Sequence, residues 1–218
     1  MKPAKLVLLF LAFVLASPAG AIFSENFDGA TPGYDNTLGA ITGTYFSLTA
    51  GSIDVNGPAK GSSPEWYQEL CAPTSGNCID TVGGSNALPD TIKTASEITF
   101  NAAGWYVLSF DLEGWYESYD TSEWATVQVD LGSLIEDDQI TVYGTSNPYL
   151  PDAILFQVTT PGTSAYLTFS TVNSNSTYAG GILDNVSIDP ADPAPEPRSV
   201  LLFGLGALIR VARKRVRQ

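Results

Sequence analysis

Apolar and polar residues alternate with a period of two through much of this chain, with Gly, Pro and Asn between the runs. In Trp105 to Leu112, one side carries Tyr106, Leu108, Phe110 and Leu112, and the other carries Ser109 and Asp111. Trp124 to Leu131 repeats the pattern, with Ala125, Val127, Val129 and Leu131 against Thr126, Gln128 and Asp130. Further strands are predicted at Ile140 and Val142, over Ala153 to Val158, and at Ala165, Leu167 and Phe169. Earlier in the chain, strands are predicted over Ile22 to Phe27, Tyr45 to Leu48, Ser52 to Val55 and Ile98 to Phe100. No long window of the body holds a helical stripe free of Gly or Pro. The pattern predicts an all-β fold, an antiparallel β-sandwich of jelly-roll type over residues 22–189.

Residues 57–89 are rich in Gly, Ser, Pro and Asn and poor in alternation, so they are predicted as an ordered insertion in the sandwich. Cys71 and Cys78 lie inside it and are the only two cysteines. In an oxidising compartment this spacing favours a disulfide, whereas a redox-active pair would be C-x-x-C.

Both ends depart from this pattern. Residues 1–21 hold Lys2 and Lys5, an unbroken apolar run from Leu6 to Ala16, Pro18, and the small triplet Ala19-Gly20-Ala21. That is the order of a secretory signal peptide cleaved after Ala21; an uncleaved anchor is the alternative. Residues 190–198 are Pro-rich, and 199–218 hold a second apolar run followed by Arg210, Arg213, Lys214, Arg215 and Arg217. A helix over Ser199 to Ala212 is short for a ~30 Å hydrocarbon core, and the basic cluster would stay cytoplasmic.

Charge and composition narrow the function. All 23 acids lie between Glu25 and Glu196, and from Ile22 to Pro195 there are 22 acids against Lys60 and Lys93, a formal −20. Such a body repels nucleic acid. The chain has no His, which removes Ser-His-Asp and Cys-His nucleophile systems and imidazole-bound zinc.

Pro195-Glu196-Pro197, the Gly- and Leu-rich stretch Leu201 to Leu208 and the terminal basic cluster together resemble the PEP-CTERM sorting signal of exported bacterial proteins. The resemblance covers about the last 24 residues. It implies an exosortase-type sorting enzyme as partner, transient residence in the inner membrane, a final place at the cell surface or outside it, and a host that makes exopolysaccharide. This copy departs from the family in its shortened apolar segment broken by Arg210. A plain tail anchor without processing is the alternative.

Candidate chemistry sits in three places. In Gly181 to Ile188, strict alternation places Asp184 among Ile182, Val186 and Ile188, where a carboxylate must be paired, hydrogen-bonded or metal-bound. Calcium suits oxygen ligands. The strand looks like the terminal strand of jelly-roll carbohydrate-binding modules, which implies a structural Ca²⁺ shared with the first strand through Glu25, with Asp28 second. Capping of backbone amides by Asp184 is the rival reading. Secondly, Trp105, Trp115, Tyr116, Tyr119 and Trp124, with Trp66 and Tyr67, form an aromatic group, and Trp115, Tyr116 and Tyr119 in the acidic loop are the candidate glycan platform; burial at the sandwich rim is the alternative. Thirdly, Glu113, Glu117, Asp120 and Glu123 could supply a glycosidase pair, but no motif assigns the roles, and no catalytic residue is predicted. These observations predict a non-catalytic exported protein that binds glycan or serves as a structural or adhesive matrix component.

Overall fold

The computed structural model describes residues 20–36, 38–57, 71, 76–83, 88–114, 123–144, 150–175 and 180–191. The predicted signal peptide (all but its last two residues), Pro195-Glu196-Pro197, the hydrophobic segment with its basic cluster, and Trp115, Tyr116 and Tyr119 lie outside the described residues.

In chain order the strands are β1 (Phe23–Glu25), β2 (Gly33–Asn36), β3 (Gly39–Ala40), β4 (Phe46–Ala50) and β5 (Ile53–Asn56). There follow β6 (Cys78–Asp80), β7 (Asp90–Thr94), β8 (Ile98–Phe100), β9 (Gly104–Gly114) and β10 (Trp124–Asp130). The last five are β11 (Asp138–Tyr143), β12 (Leu150–Val158), β13 (Thr163–Ala165), β14 (Thr168–Ser174) and β15 (Gly181–Pro190). They form a seven-stranded sheet, β12-β9-β15-β6-β5-β2 with β1 also on β15, and a six-stranded sheet, β11-β10-β14-β7-β4-β3. β13 and β8 make a separate two-stranded ribbon. The pairs are antiparallel, so the chain is an all-β antiparallel sandwich of jelly-roll type.

The inward faces carry the predicted alternation. Tyr106, Leu108, Phe110 and Leu112 of β9 and Ala125, Val127 and Val129 of β10 are all buried. Between the sheets, the Phe110 ring meets Phe169 edge-on at 5.3 Å, Phe169 meets Phe46 at 6.2 Å, and Phe46 meets Phe27 at 5.7 Å. This row ties both sheets to the turn after β1; full burial of each ring is worth about 1.5–3 kcal/mol. A second aromatic group closes the other end, where Phe100 packs edge-on against Tyr106 and Phe156.

Three expectations are corrected. Residues 57–89 are not simply an insertion: Cys78 to Asp80 is an interior strand of the larger sheet, between β5 and β15. Its three residues are too few to show a period, and all of them are buried. Secondly, β7 was not predicted, because its inward positions include Asp90 and Thr94 beside Ile92. Thirdly, Ile182, Asp184, Val186 and Ile188 do not share a face. Asn185 has φ 50°, and the register against β9 shifts between Asp184 and Ser187. This β-bulge sets one extra residue against β9 and reverses the alternation. Leu183, Val186 and Ile188 thereby join the core, while Asp184, opposite Asp111, lies on the other side of the sheet, where it is nonetheless fully buried.

The predicted disulfide is present, Cys71 to Cys78, and fastens residue 71 to the start of β6.

Candidate functional site

The outer face of the larger sheet follows from the same alternation. Since even-numbered residues of β9 point inward, Trp105, Val107, Ser109, Asp111 and Glu113 point outward. On one side the register sets Gln157 of β12 against Trp105, Leu155 against Val107 and Ala153 against Ser109. On the other side it sets Asp189 of β15 against Val107, Ser187 against Ser109 and Asp184 against Asp111. Directly opposed side chains on one face are near neighbours.

This face has two chemical halves. At one end Trp105 is 51% exposed and Leu155 59% exposed, with Val107 half-buried between them. Polar groups border them: Gln157 lies beside Trp105, and the Ser187 hydroxyl donates to Asp189 Oδ2 at 3.0 Å. At the other end carboxylates face one another across the strands, Asp111 against Asp184 and, farther along, Asp54 against Asp80. Like charges so placed repel. The pair on β9 and β15 is relieved by the bulge residue: the Asn185 side-chain amide donates to Asp111 Oδ2 at 2.8 Å, and its backbone N–H donates to Asp184 Oδ1 at 2.7 Å.

Asp80 is fully buried and accepts the Val82 N–H at 3.0 Å on Oδ1, while Oδ2 has no hydrogen-bond partner. Burial first, then the charges of Asp54, Asp90 and Glu123, push its carboxyl well above the usual range. Burial likewise raises Asp90, whose Oδ1 accepts the Ser52 N–H at 2.8 Å, to about 6, and Glu113 to about 7. Asp152, at the start of the exposed edge, is raised by burial and then by Asp111.

The three carboxylates predicted to share calcium are held apart in function. Both Glu25 oxygens accept backbone amides, from Phe27 at 2.8 Å and Tyr45 at 2.7 Å, so Glu25 ties β1 to the turn before β4. Asp28 accepts the Asn77 N–H at 3.1 Å and the Asn26 side-chain amide at 2.9 Å. Asp184, fully buried in the middle of the larger sheet, accepts the Asn185 backbone N–H on Oδ1. Among the described residues, no three His, Cys, Asp or Glu are grouped to hold a metal ion. A cleft of about 500 Å³ opens beside Glu25, and its lining of Ser24, Asn26, Gly29, Gly43, Thr44 and Tyr45 adds no second carboxylate. Calcium favours several charged oxygens, and among the described residues these three carboxylates are not grouped to supply them.

The other candidates divide between described and undescribed segments. Glu113 ends β9 and Glu123 precedes β10, while Glu117 and Asp120 lie outside the described residues, as do Trp115, Tyr116 and Tyr119. Trp124 is half-buried at the start of β10. Trp105 was noted in sequence only as one member of an aromatic group. Its signal was the parity of β9: if Tyr106 faces the core, Trp105 faces water.

No protein-family model matches this chain, and no curated protein does. Solved structures resemble it at low identity. A carbohydrate binding module from Cellvibrio mixtus lichenase 5A, in complex with cellotriose, is 7% identical with TM-score 0.43, over 78% of this chain and 98% of that one. A xylan-binding domain from Paenibacillus barcinonensis is 14% identical with TM-score 0.40, over 82% and 99%. A family 35 carbohydrate binding module from Clostridium thermocellum is 11% identical with TM-score 0.37, over 64% and 99%.

Two outcomes follow from this geometry. Chelator is expected to leave the thermal midpoint unchanged and equilibrium dialysis to find no bound calcium; bound metal with a midpoint lowered by EDTA would restore the three-carboxylate set. The raised carboxyls also set a pH dependence. Asp80, Asp90 and Glu113 keep their protons to higher pH when folded than when unfolded, so their stabilisation is complete below pH ~4 and is lost as pH rises. For Asp90 and Glu113 the loss runs through about 6 and about 7. The midpoint should therefore be higher at pH 5 than at pH 8. Asp80→Asn keeps an oxygen for the Val82 amide and removes the charge, so it should raise stability at pH 8 by roughly 1–3 kcal/mol. An unchanged gap between the two pH values in this variant would show that Asp80 is not responsible.

Proposed function

We propose that this protein is an exported, non-catalytic sandwich that binds glycan through the outer face of its larger sheet and is delivered by a sorting tail. The observation that carries the binding part is Trp105. A tryptophan half exposed on a β-face, set by the register against Gln157, offers a ring on which the apolar face of a sugar can stack. Val107, Leu155 and the Ser187–Asp189 hydrogen bond extend this platform with apolar surface and fixed polar groups. Such a mixture orients a ligand without a deep pocket.

The delivery part is supported by the two ends: the charged, apolar and small-residue order of residues 1–21, and the Pro195-Glu196-Pro197 motif followed by an apolar run and a basic cluster. In this reading an exosortase-type enzyme acts near Glu196, and the acidic body ends at the cell surface or in the surrounding exopolysaccharide. A structural or adhesive matrix role without sugar binding is the second reading; the −20 body and its disulfide support it equally.

Affinity electrophoresis through gels containing matrix polysaccharides tests the platform. Retardation of the wild type should fall at least about fivefold in Trp105→Ala, since stacking of a planar base on one aromatic ring is worth on the order of 1–3 kcal/mol by alanine substitution and a sugar face stacks in the same way. Absence of retardation by every polysaccharide favours the matrix reading. Intact mass of protein recovered from its cells tests delivery: removal of residues 1–21 and a new terminus near residue 197 are expected, and a full-length mass would reject both processing steps.

A further inference from the structure

We infer that β12 is a pairing edge for a second copy of this chain, making one continuous larger sheet across two molecules. β12 ends the larger sheet, and among the described residues no strand lies on its other side. It is nine residues long, and from Ala153 to Val158 it carries no charge, no Pro and no Gly. This six-residue stretch, which follows Pro151 and Asp152 in the same strand, presents a row of backbone donors and acceptors with no charge or Pro of its own to discourage pairing.

The other free edges are guarded. β2, β3 and β1 are four, two and three residues long, and β11 starts with Asp138, directly after Glu136 and Asp137. Short or charged edges resist addition of a further strand. After Asp152, β12 offers six uncharged residues, against the five that follow Asp138 in β11, in a body of formal −20.

Charge also selects the occupant. Two such bodies repel over most of their surface, so they can meet closely only where charge is missing, and this edge is such a place. Its side chains are self-complementary. An antiparallel pairing centred on Leu155 sets the two Leu155 side chains together, Ile154 against Phe156 of the partner subunit, and Ala153 against Gln157 of the partner subunit. Aliphatic–aromatic cross-strand pairs are favourable. Leu155 is 59% exposed and Ile154 partly buried, so both have surface left to cover. Neither carboxylate row is brought into the contact; the nearest acid, Asp152, falls against Val158 of the partner subunit.

The test is sedimentation velocity on the protein as recovered from its cells, without added sugar, so that its outcome is independent of glycan binding. The wild type should form a dimer that tightens between about 50 mM and about 500 mM salt, as repulsion between the acidic bodies is screened. Leu155→Lys should weaken the dimer at least about tenfold, because it places two like charges on the axis. Leu38→Lys, at a site 65% exposed and away from β12, should leave it unchanged. Circular dichroism melts of both variants should match the wild type, since both side chains are exposed. A wild type that stays monomeric at every salt concentration overturns the inference. So does a Leu155→Lys protein that dimerises as the wild type does, or an equal loss in Leu38→Lys.

Discussion

The larger sheet depends on one irregular residue. β15 carries hydrogen-bonded neighbours on both sides, β9 along one and β6 followed by β1 along the other. A regular strand in that position would have to send either Leu183 or the pair Val186 and Ile188 away from the core. The left-handed backbone at Asn185 removes the conflict by changing parity in mid-strand. Asn tolerates this conformation better than most residues, and its two amide groups also hold the facing carboxylates of Asp111 and Asp184. Backbone geometry and local electrostatics are thus satisfied by the same side chain.

The bulge also organises the surface. Upstream of Asn185 the outward positions of β15 are Ile182 and Asp184, next to Glu113 and Asp111; downstream they are Ser187 and Asp189, next to Ser109 and Val107. The acidic and the amphipathic halves of the outer face meet near the bulge. In the acid-rich half Asp80 and Glu113 hold their protons to unusually high pH because burial leaves their carboxyls little water, and Lys60 and Lys93 are the only bases in the body. The amphipathic half remains open to a ligand.

Much of the fold was legible because long strands between two environments advertise their period. β9 and β10 turn inward the residues that their period predicts, and so does β14 at Phe169, whereas Ala165 falls in β13 and the buried Thr171 of β14 carries no apolar signal. β6 and β7 were hidden for different reasons. One is too short to show alternation, and the other turns Asp90 and Thr94 inward, where Ser52 and Leu167 supply backbone donors that no local pattern announces. The expectation that Asp184 shares a face with Val186 and Ile188 rested on parity continuing unbroken through residue 185. A single residue with positive φ leaves almost no trace in a hydropathy pattern, so the burial of Asp184 was legible but not the side of the sheet on which it lies. The exposure of Trp105 was legible in the parity that turns Tyr106 inward.

Glu25 holds β1 against the turn before β4, while β1 itself pairs with β15. The first of the described strands therefore finds its place only beside the last of them. No partial chain can complete this sheet, and contacts that distant in sequence form slowly. In the export proposed above, that ordering would keep the body unfinished, and so still translocatable, until almost its whole length had crossed.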